Sequence, residues 1–365
     1  MMNDRERFVN TLTGRPVDRV PFIKVFGGTN AVLPGWEREY PGLRERIDKE
    51  LGFEGAYRGW DTAPVNVRFS GLGPTEVLEE NETQRIVRST AGEVTLQRLD
   101  GDYHAQTLRW PVESREDWER VRELYLRADD PARFPDDWPD QMRRYRERSW
   151  ALQLTHGGVY GFVRRLMGDE RMLLALYDDP AWVAEMMESY TTMVLEIWEG
   201  MVAEVEFDLV EFWEDMASKN GALLSPAMFR EFMAPQYRRV ADFARGHGIE
   251  ILLVDSDGYT DDLAELMVEV GVNALYPFEV GAGCDVPGTR ARLPELGIIG
   301  GLDKQCMACG REAMDRELEK ARAFIRLGRF IPGPDHFVLS NVTWPDYKYF
   351  MERLKEVVVN TSPTA

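Results

Sequence analysis

The chain has 365 residues, enough for one large α/β barrel or two ordinary domains. It is 44% hydrophobic and 29% charged, a globular rather than a disordered composition. A formal net charge of −19, with no basic patch beyond helix-surface Lys and Arg, argues against nucleic acid and anionic membrane surfaces as partners.

No apolar run approaches the ~20 residues of a membrane-spanning helix. The N-terminal MMNDRERF lacks a signal peptide's apolar stretch. Three cysteines make no disulfide framework, so a reducing cytoplasm is the expected location.

In chain order, Asn3–Leu12 reads as a short helix stopped by Gly14-Arg15-Pro16. Val20–Phe26 is an apolar run before Gly27-Gly28 and a first strand; Leu51–Tyr57 is a second. From about 66 to 110 the pattern changes. Arg85–Thr90, Gly92–Arg98 and Tyr103–Arg109 are short and β-rich, with turn signals between them. They predict a small antiparallel insertion within a single domain spanning 1–365. Arg115–Ala128 and Asp140–Arg148 read as helices, Leu152–His156 as a core strand, then Asp169–Tyr177 and Pro180–Val205 as helices. Beyond Phe207 strand and helix alternate, with helices over Pro226–Gly246 (kinked at Pro235), Asp261–Val270, Arg311–Arg326 and Pro345–Val358. Strands near 20, 53, 152, 208, 250, 273, 297 and 330 predict a TIM (β/α)8 barrel; a doubly wound sheet is the alternative.

The late strands share an ending. Phe207–Phe212 leads into Trp213-Glu214-Asp215, Ile249–Val254 into Asp255-Ser256-Asp257-Gly258, and Val272–Phe278 into Glu279. Leu296–Gly301 leads into Leu302-Asp303-Lys304, and Phe330–Pro334 into Asp335-His336. In a parallel barrel such ends line one pocket. Converging carboxylates favour a metal ion, a cationic group or proton transfer. Asp255 and Asp257 fall on one face if the strand persists; alternatively they cap the next helix, though Thr260 can do so alone. Lys219 could pair with Glu214 or Asp215. Glu211 reads as a charge inside its strand, without a chemical role. His156 and His336 fall at strand ends, His156 before an open Gly157-Gly158-Val159-Tyr160 loop; His104 and His247 read as surface residues. Cys306-Met307-Ala308-Cys309 has CxxC spacing, which Cys284 could join, but two small buried thiols explain it as well. No phosphate loop, GxGxxG or Gly-x-Ser-x-Gly elbow is present.

Several segments together resemble the uroporphyrinogen decarboxylase superfamily. They are Arg5–Phe22 (RERFVNTLTGRPVDRVPF), Glu214–Tyr237 (EDMASKNGALLSPAMFREFMAPQY), Val254–Gly258, Val270–Val280, Ile298–Lys304 and Ile331–Val338. The resemblance covers nearly the whole chain. It implies a TIM barrel and either decarboxylation or methyl transfer serving corrinoid proteins. The decarboxylase's arginine-bearing segment is replaced here by Lys24-Val25-Phe26-Gly27-Gly28-Thr29-Asn30, and an acidic pocket would repel a polycarboxylate. The thiol-alkylating methyltransferases hold zinc through His-x-Cys and a later Cys; Asp255-Ser256-Asp257 stands at those positions. An all-oxygen set suits a catalytic zinc or a harder divalent ion. The lone Asp-x-His, Asp102-Tyr103-His104, lacks the glycine of a cobalamin motif, so a corrinoid would sit on a separate partner protein.

The resemblance therefore implies a methyltransferase component acting on a small substrate. A decarboxylase or lyase and a non-catalytic binding protein are the alternatives, and a homodimer is left open. Catalysis is expected from Asp255, Asp257, His336 and Glu214. Substrate contacts are expected from Lys24, His156, Tyr160, Asp215, Glu279, Asp303 and Lys304. Asp255, Asp257, Glu279, Asp335 and His336 are the expected ligands of a divalent metal, zinc first.

Overall fold

A computed structural model describes residues 2–25, 29, 32–56, 58–99 and 105–363. The expectations placed on Phe26–Gly28, Asn30, Tyr57 and Asp102–His104 lie outside these residues.

The first helix, α1 (Asp4–Thr13), is started by a capping box in which Asn3 and Glu6 satisfy each other's backbone N–H groups. Two helices follow that the sequence reading did not anticipate, α2 (Leu33–Glu39) and α3 (Leu43–Leu51). The first parallel strand is β1 (Trp60–Thr62), after the run expected to form it. Next come β2 (Glu76–Glu80), β3 (Gln84–Arg88), β4 (Val94–Arg98) and β5 (Gln106–Arg109), an antiparallel sheet in that order. It has one strand more than the sequence suggested: β2 is exposed along its whole length, so it lacks the alternation that marks a half-buried strand.

Then come α4 (Arg115–Tyr125), α5 (Trp138–Arg146), β6 (Ala151–His156), α6 (Val159–Met167), α7 (Asp169–Asp178), α8 (Pro180–Val202) and β7 (Leu209–Trp213). A two-stranded hairpin, β8 (Ala217–Ser218) and β9 (Gly221–Ala222), precedes α9 (Pro226–Met228), a π turn at Phe229–Met233 and α10 (Ala234–Gly246). The π turn sits just before Pro235, whose missing N–H and bulky ring disturb the α ladder there. The chain ends with β10 (Ile251–Asp255), α11 (Asp261–Val268), β11 (Ala274–Phe278), α12 (Val286–Arg292), β12 (Gly297–Leu302), α13 (Arg311–Arg326), β13 (Phe330–Pro334) and α14 (Trp344–Val359).

Seven parallel strands pair in the order β1-β6-β7-β10-β11-β12-β13, a curled sheet wrapped by helices. This is the TIM-barrel class, but with seven laddered strands where eight were expected. Residues 20–25 form no ladder. They still lie between the two edges of the sheet: the space a Cβ on Gly333 of β13 would take is filled by Val25, and that on Gly59, before β1, by Ile23. Side-chain packing closes the seam there in place of hydrogen bonds.

Two cores follow from the alternation along the strands. The outer one lies between sheet and helices and includes Leu154, Phe212, Tyr190 and Tyr237. The inner one fills the barrel with Trp60, Leu209, Leu253, Tyr276, Ile299 and Ile331. Phe8, Val9 and Leu12 of α1 belong to the inner core and plug the floor; burying them contributes about 1.5–3 kcal/mol apiece. With α1 packed into the floor, the acids that follow the strands lie at the opposite, C-terminal end of the barrel.

Candidate active site

Three carboxylates meet at those ends. One oxygen each from Asp215, Asp255 and Asp257 lies within 4.8 Å of the others. Asp255 ends β10 and is buried; on the adjacent β7, Glu211, paired with Leu253 two residues before Asp255, is also buried. Asp257 lies in the following loop, more open to solvent. Gly258 allows that loop its path: its φ is +87°, and a Cβ there would come within 2.8 Å of the Ser218 carbonyl. Asp215 adopts a left-handed φ of 47°, a conformation Asp tolerates better than most residues.

The acids have different partners. Arg164 of α6 donates to Asp215 at 2.8 Å. His336 Nε2 lies 3.1 Å from Asp257 Oδ2. Arg58 lies 3.5 Å from Glu211 and 3.9 Å from Asp255, and its guanidinium faces the Tyr276 ring at 5.8 Å. Below, Trp60 donates to Gln153, whose amide donates to Thr155 at 2.8 Å and to Glu211. Burial pushes the Asp255 carboxyl well above its ordinary range, and the neighbouring Glu211 charge adds to this. Burial raises Glu211 too, and raises Asp215 with help from Asp257. A buried pair of acids served by one arginine favours a retained proton.

A second group adjoins the first. Glu279 accepts from the Gly258 N–H at 2.8 Å and from Lys304 at 3.2 Å, and lies 4.0 Å from His336. Asp335 is fully buried; its oxygens accept from the Gly281 and Lys304 N–H groups, with the Lys304 ammonium 3.7 Å away. That set of donors makes Asp335 a clamp between the two loops after β11 and β12. Asp303 caps the turn at Lys304–Ala308 by accepting from the Gln305 N–H.

Other expected site residues lie away from the mouth. Glu214 accepts four hydrogen bonds, from the N–H groups of Val159, Tyr160 and Gly161 and from the Tyr237 hydroxyl, at 2.7–2.9 Å. It anchors the start of α6, where the helix dipole favours an anion. Burial pushes its carboxyl up to about 7 against the pull of those donors. His156 is fully buried among Tyr190, Trp198 and Phe212, in the layer between sheet and helices, and neither ring nitrogen has a hydrogen-bond partner among the described residues. Tyr160 is part of α6 rather than of an open loop, and its hydroxyl donates to Asp169 at 2.9 Å. Lys24 is buried and reaches Asp48 on α3 at 2.8 Å. Lys219 is exposed and forms no ion pair among the described residues.

The Thr260 hydroxyl faces Cys284 at 3.7 Å and does not cap α11. The thiols do not resemble a metal site. Cys284 contacts the Gly258 carbonyl, Cys309 is exposed, and burial pushes Cys306 up to about 12.

The sequence reading passed over Arg58, Gln153, Trp60 and Tyr276, and set Glu211 aside. Only the inward parity of Glu211 on β7 could have flagged it, as Glu211 stands beside inward-facing Leu253 of β10. Arg58 precedes a strand that the reading had placed elsewhere.

A barrel whose mouth gathers carboxylates, with Asp215 beside Arg164, Glu211 beside Arg58, Asp257 beside His336 and Glu279 beside Lys304, defines a TIM-barrel protein with a candidate acid pocket at its strand ends. The uroporphyrinogen decarboxylase (URO-D) family model matches residues 157–357, more than half of the chain, and the protein belongs to that family. Among solved structures, a methyltransferase from Methanosarcina mazei aligns over 98% of both chains with a TM-score of 0.60 at 13% identity, a likeness of fold. A Listeria monocytogenes protein assigned as a vitamin-B12-independent methionine synthase aligns over 57% of this chain and 65% of its own, with a TM-score of 0.33 at 13% identity. No significant match was found among curated proteins. No helix among the described residues is long and apolar enough to cross a membrane.

Proposed function

We propose that this protein is a methyltransferase component that moves a methyl group from a small methoxyl or methylamine donor to a corrinoid on a separate protein. The observation that carries the reading is the pairing of buried Asp255 with Glu211 beside a single arginine. Asp255 keeps its proton and delivers it to the heteroatom of the donor as the methyl group leaves. The departing group then leaves as a neutral alcohol or amine, and Arg58 stabilises the carboxylate left behind. Asp257, held by His336, orients the donor from the open side.

A metal ion is compatible with this chemistry in one form only. Asp215, Asp255 and Asp257 would hold a divalent ion through oxygen alone, and it would polarise the leaving heteroatom. A thiolate zinc site does not fit, because Asp stands at both ligand positions and no cysteine joins the group. Arg58 favours one second reading, decarboxylation of a small acid: the guanidinium would hold a carboxylate and Asp255 would protonate the product carbanion.

The test supplies cob(I)alamin as acceptor with methoxylated aromatics and methylamines as donors, under anaerobic conditions. Formation of methylcobalamin is followed by absorbance. One donor class should react, and Asp255→Asn should slow it by about a hundredfold or more while the fold is retained. Calorimetry of metal-stripped protein with zinc, manganese and magnesium tests the ion: Asp255→Asn should abolish any binding seen. Failure of every donor, with carbon dioxide released from a carboxylic acid instead, overturns methyl transfer.

A further inference from the structure

In a chain with 63 acidic and 44 basic residues, an arginine without a carboxylate partner needs a reason. Two such arginines belong to segments that pack together: Arg165 of α6, and Arg68, whose chain neighbour Phe69 meets Phe162 of α6 edge-on with ring centres 6.2 Å apart. Arg165, in the last turn of α6, stacks on the Trp213 ring with its guanidinium carbon 3.5 Å from the ring centre. Stacking uses the face of the guanidinium; its N–H donors lie in the plane and still need acceptors. Nη1 of Arg165 is buried and meets none among the described residues. Arg165 forms no ion pair among the described residues, and neither does the exposed Arg68.

The next arginine differs. Arg164 faces the same Trp213 ring at 4.9 Å but pairs with Asp215 at 2.8 Å and lies 3.7 Å from Asp169. It uses the nearest acid of the catalytic group, so that acid is not free to serve Arg165. Burial pushes the Arg165 guanidinium down to about 10, and the charges of Arg68 and Arg164 push the same way, while Asp215 opposes them. A partly buried cation beside two others is a poor arrangement unless an anion joins it.

We propose that Arg68 and Arg165, on the platform of Trp213, form an oxyanion subsite at the rim that binds a carboxylate or phosphate group of the ligand. Guanidinium forks bind planar or tetrahedral oxyanions through paired N–H donors. The stack on Trp213 fixes Arg165 in advance, so little side-chain entropy is lost on binding. Asp215 links the two places: it pairs with Arg164, the chain neighbour of Arg165, and its carboxylate meets those of Asp255 and Asp257. A ligand anchored by its anion would place its other end at the acids. The subsite rests on the barrel mouth being the ligand site, and not on methyl transfer.

Titration calorimetry with inorganic phosphate and with acetate tests this, at constant ionic strength with chloride as the reference anion. Wild type should show saturable binding of at least one anion. Preference for acetate identifies a carboxylate group, and preference for phosphate identifies a phosphate group. Arg165→Met and Arg68→Met should each weaken binding by about tenfold or more, the loss expected for charged hydrogen bonds. Arg68 is exposed, so its variant keeps the fold if Arg165→Met does not. Asp255→Asn should retain anion binding even where it loses turnover, which separates this subsite from the reaction assigned to the acids. No saturable heat with either anion, or wild-type affinity in Arg68→Met, overturns the subsite.

Discussion

Replacing Glu214 by Gln and by Ala separates a structural carboxylate from a catalytic one. The Val159 N–H and the Tyr237 hydroxyl meet one oxygen, and the Tyr160 and Gly161 N–H groups meet the other. A Gln can keep its carbonyl toward Tyr160 and Gly161 and donate its amide to the Tyr237 oxygen, since a hydroxyl also accepts. Only the Val159 N–H is then left facing another donor. One buried unsatisfied donor and the lost anion at the helix start cost about 2 kcal/mol. Ala strands all four donors and costs about 4 kcal/mol or more. Unfolding entropy of about 2.1 cal/mol/K per residue gives about 0.8 kcal/mol/K for 365 residues. Tm should fall by about 3 °C in Glu214→Gln and about 5 °C or more in Glu214→Ala. Differential scanning calorimetry at pH 7.5 reads both. If Glu214→Ala melts within about 1 °C of wild type and is inactive, the hydrogen-bond argument fails and the residue belongs to the chemistry.

Two further outcomes follow from the buried charges. Burial pushes His156 from 6.5 to about 3, so the unfolded chain binds a proton that the folded one refuses. Its contribution is intact above pH 6.5 and shrinks as pH falls toward 3, with about 2 kcal/mol lost by pH 5. Urea midpoints from pH 7.5 to 5 should therefore fall more steeply for wild type than for His156→Phe, and parallel profiles would contradict this. Arg58→Met leaves Glu211 and Asp255 buried without their cation, and should cost about 1–3 kcal/mol, discounted because Arg58 is partly exposed. Adding Glu211→Gln should recover part of that loss; a double variant no more stable than Arg58→Met would show that the three charges do not act as a unit.

Much of the architecture was legible in the sequence because strands and helices carry their own periodicity. Apolar runs near 152, 208, 250, 273, 297 and 330 became parallel strands, and the acids after them lie toward the C-terminal ends. The family resemblance, carried by local segments, was legible too. Position along a strand sets which end of the barrel a residue reaches.

The chain could not say by itself which acids stay available. Glu214 and Asp215 are adjacent, yet one is consumed by the N–H groups of α6 and the other turns to Asp257. Asp335 and His336 part in the same way, one into a loop clamp and one toward Asp257. Arg58 and Glu211, 153 positions apart, meet only because β1, β6 and β7 lie side by side. A helix start, a loop crossing and strand order place donors from distant segments around each carboxylate. Those donors decide whether it holds the fold or remains open to a ligand, and no spacing along the chain records them.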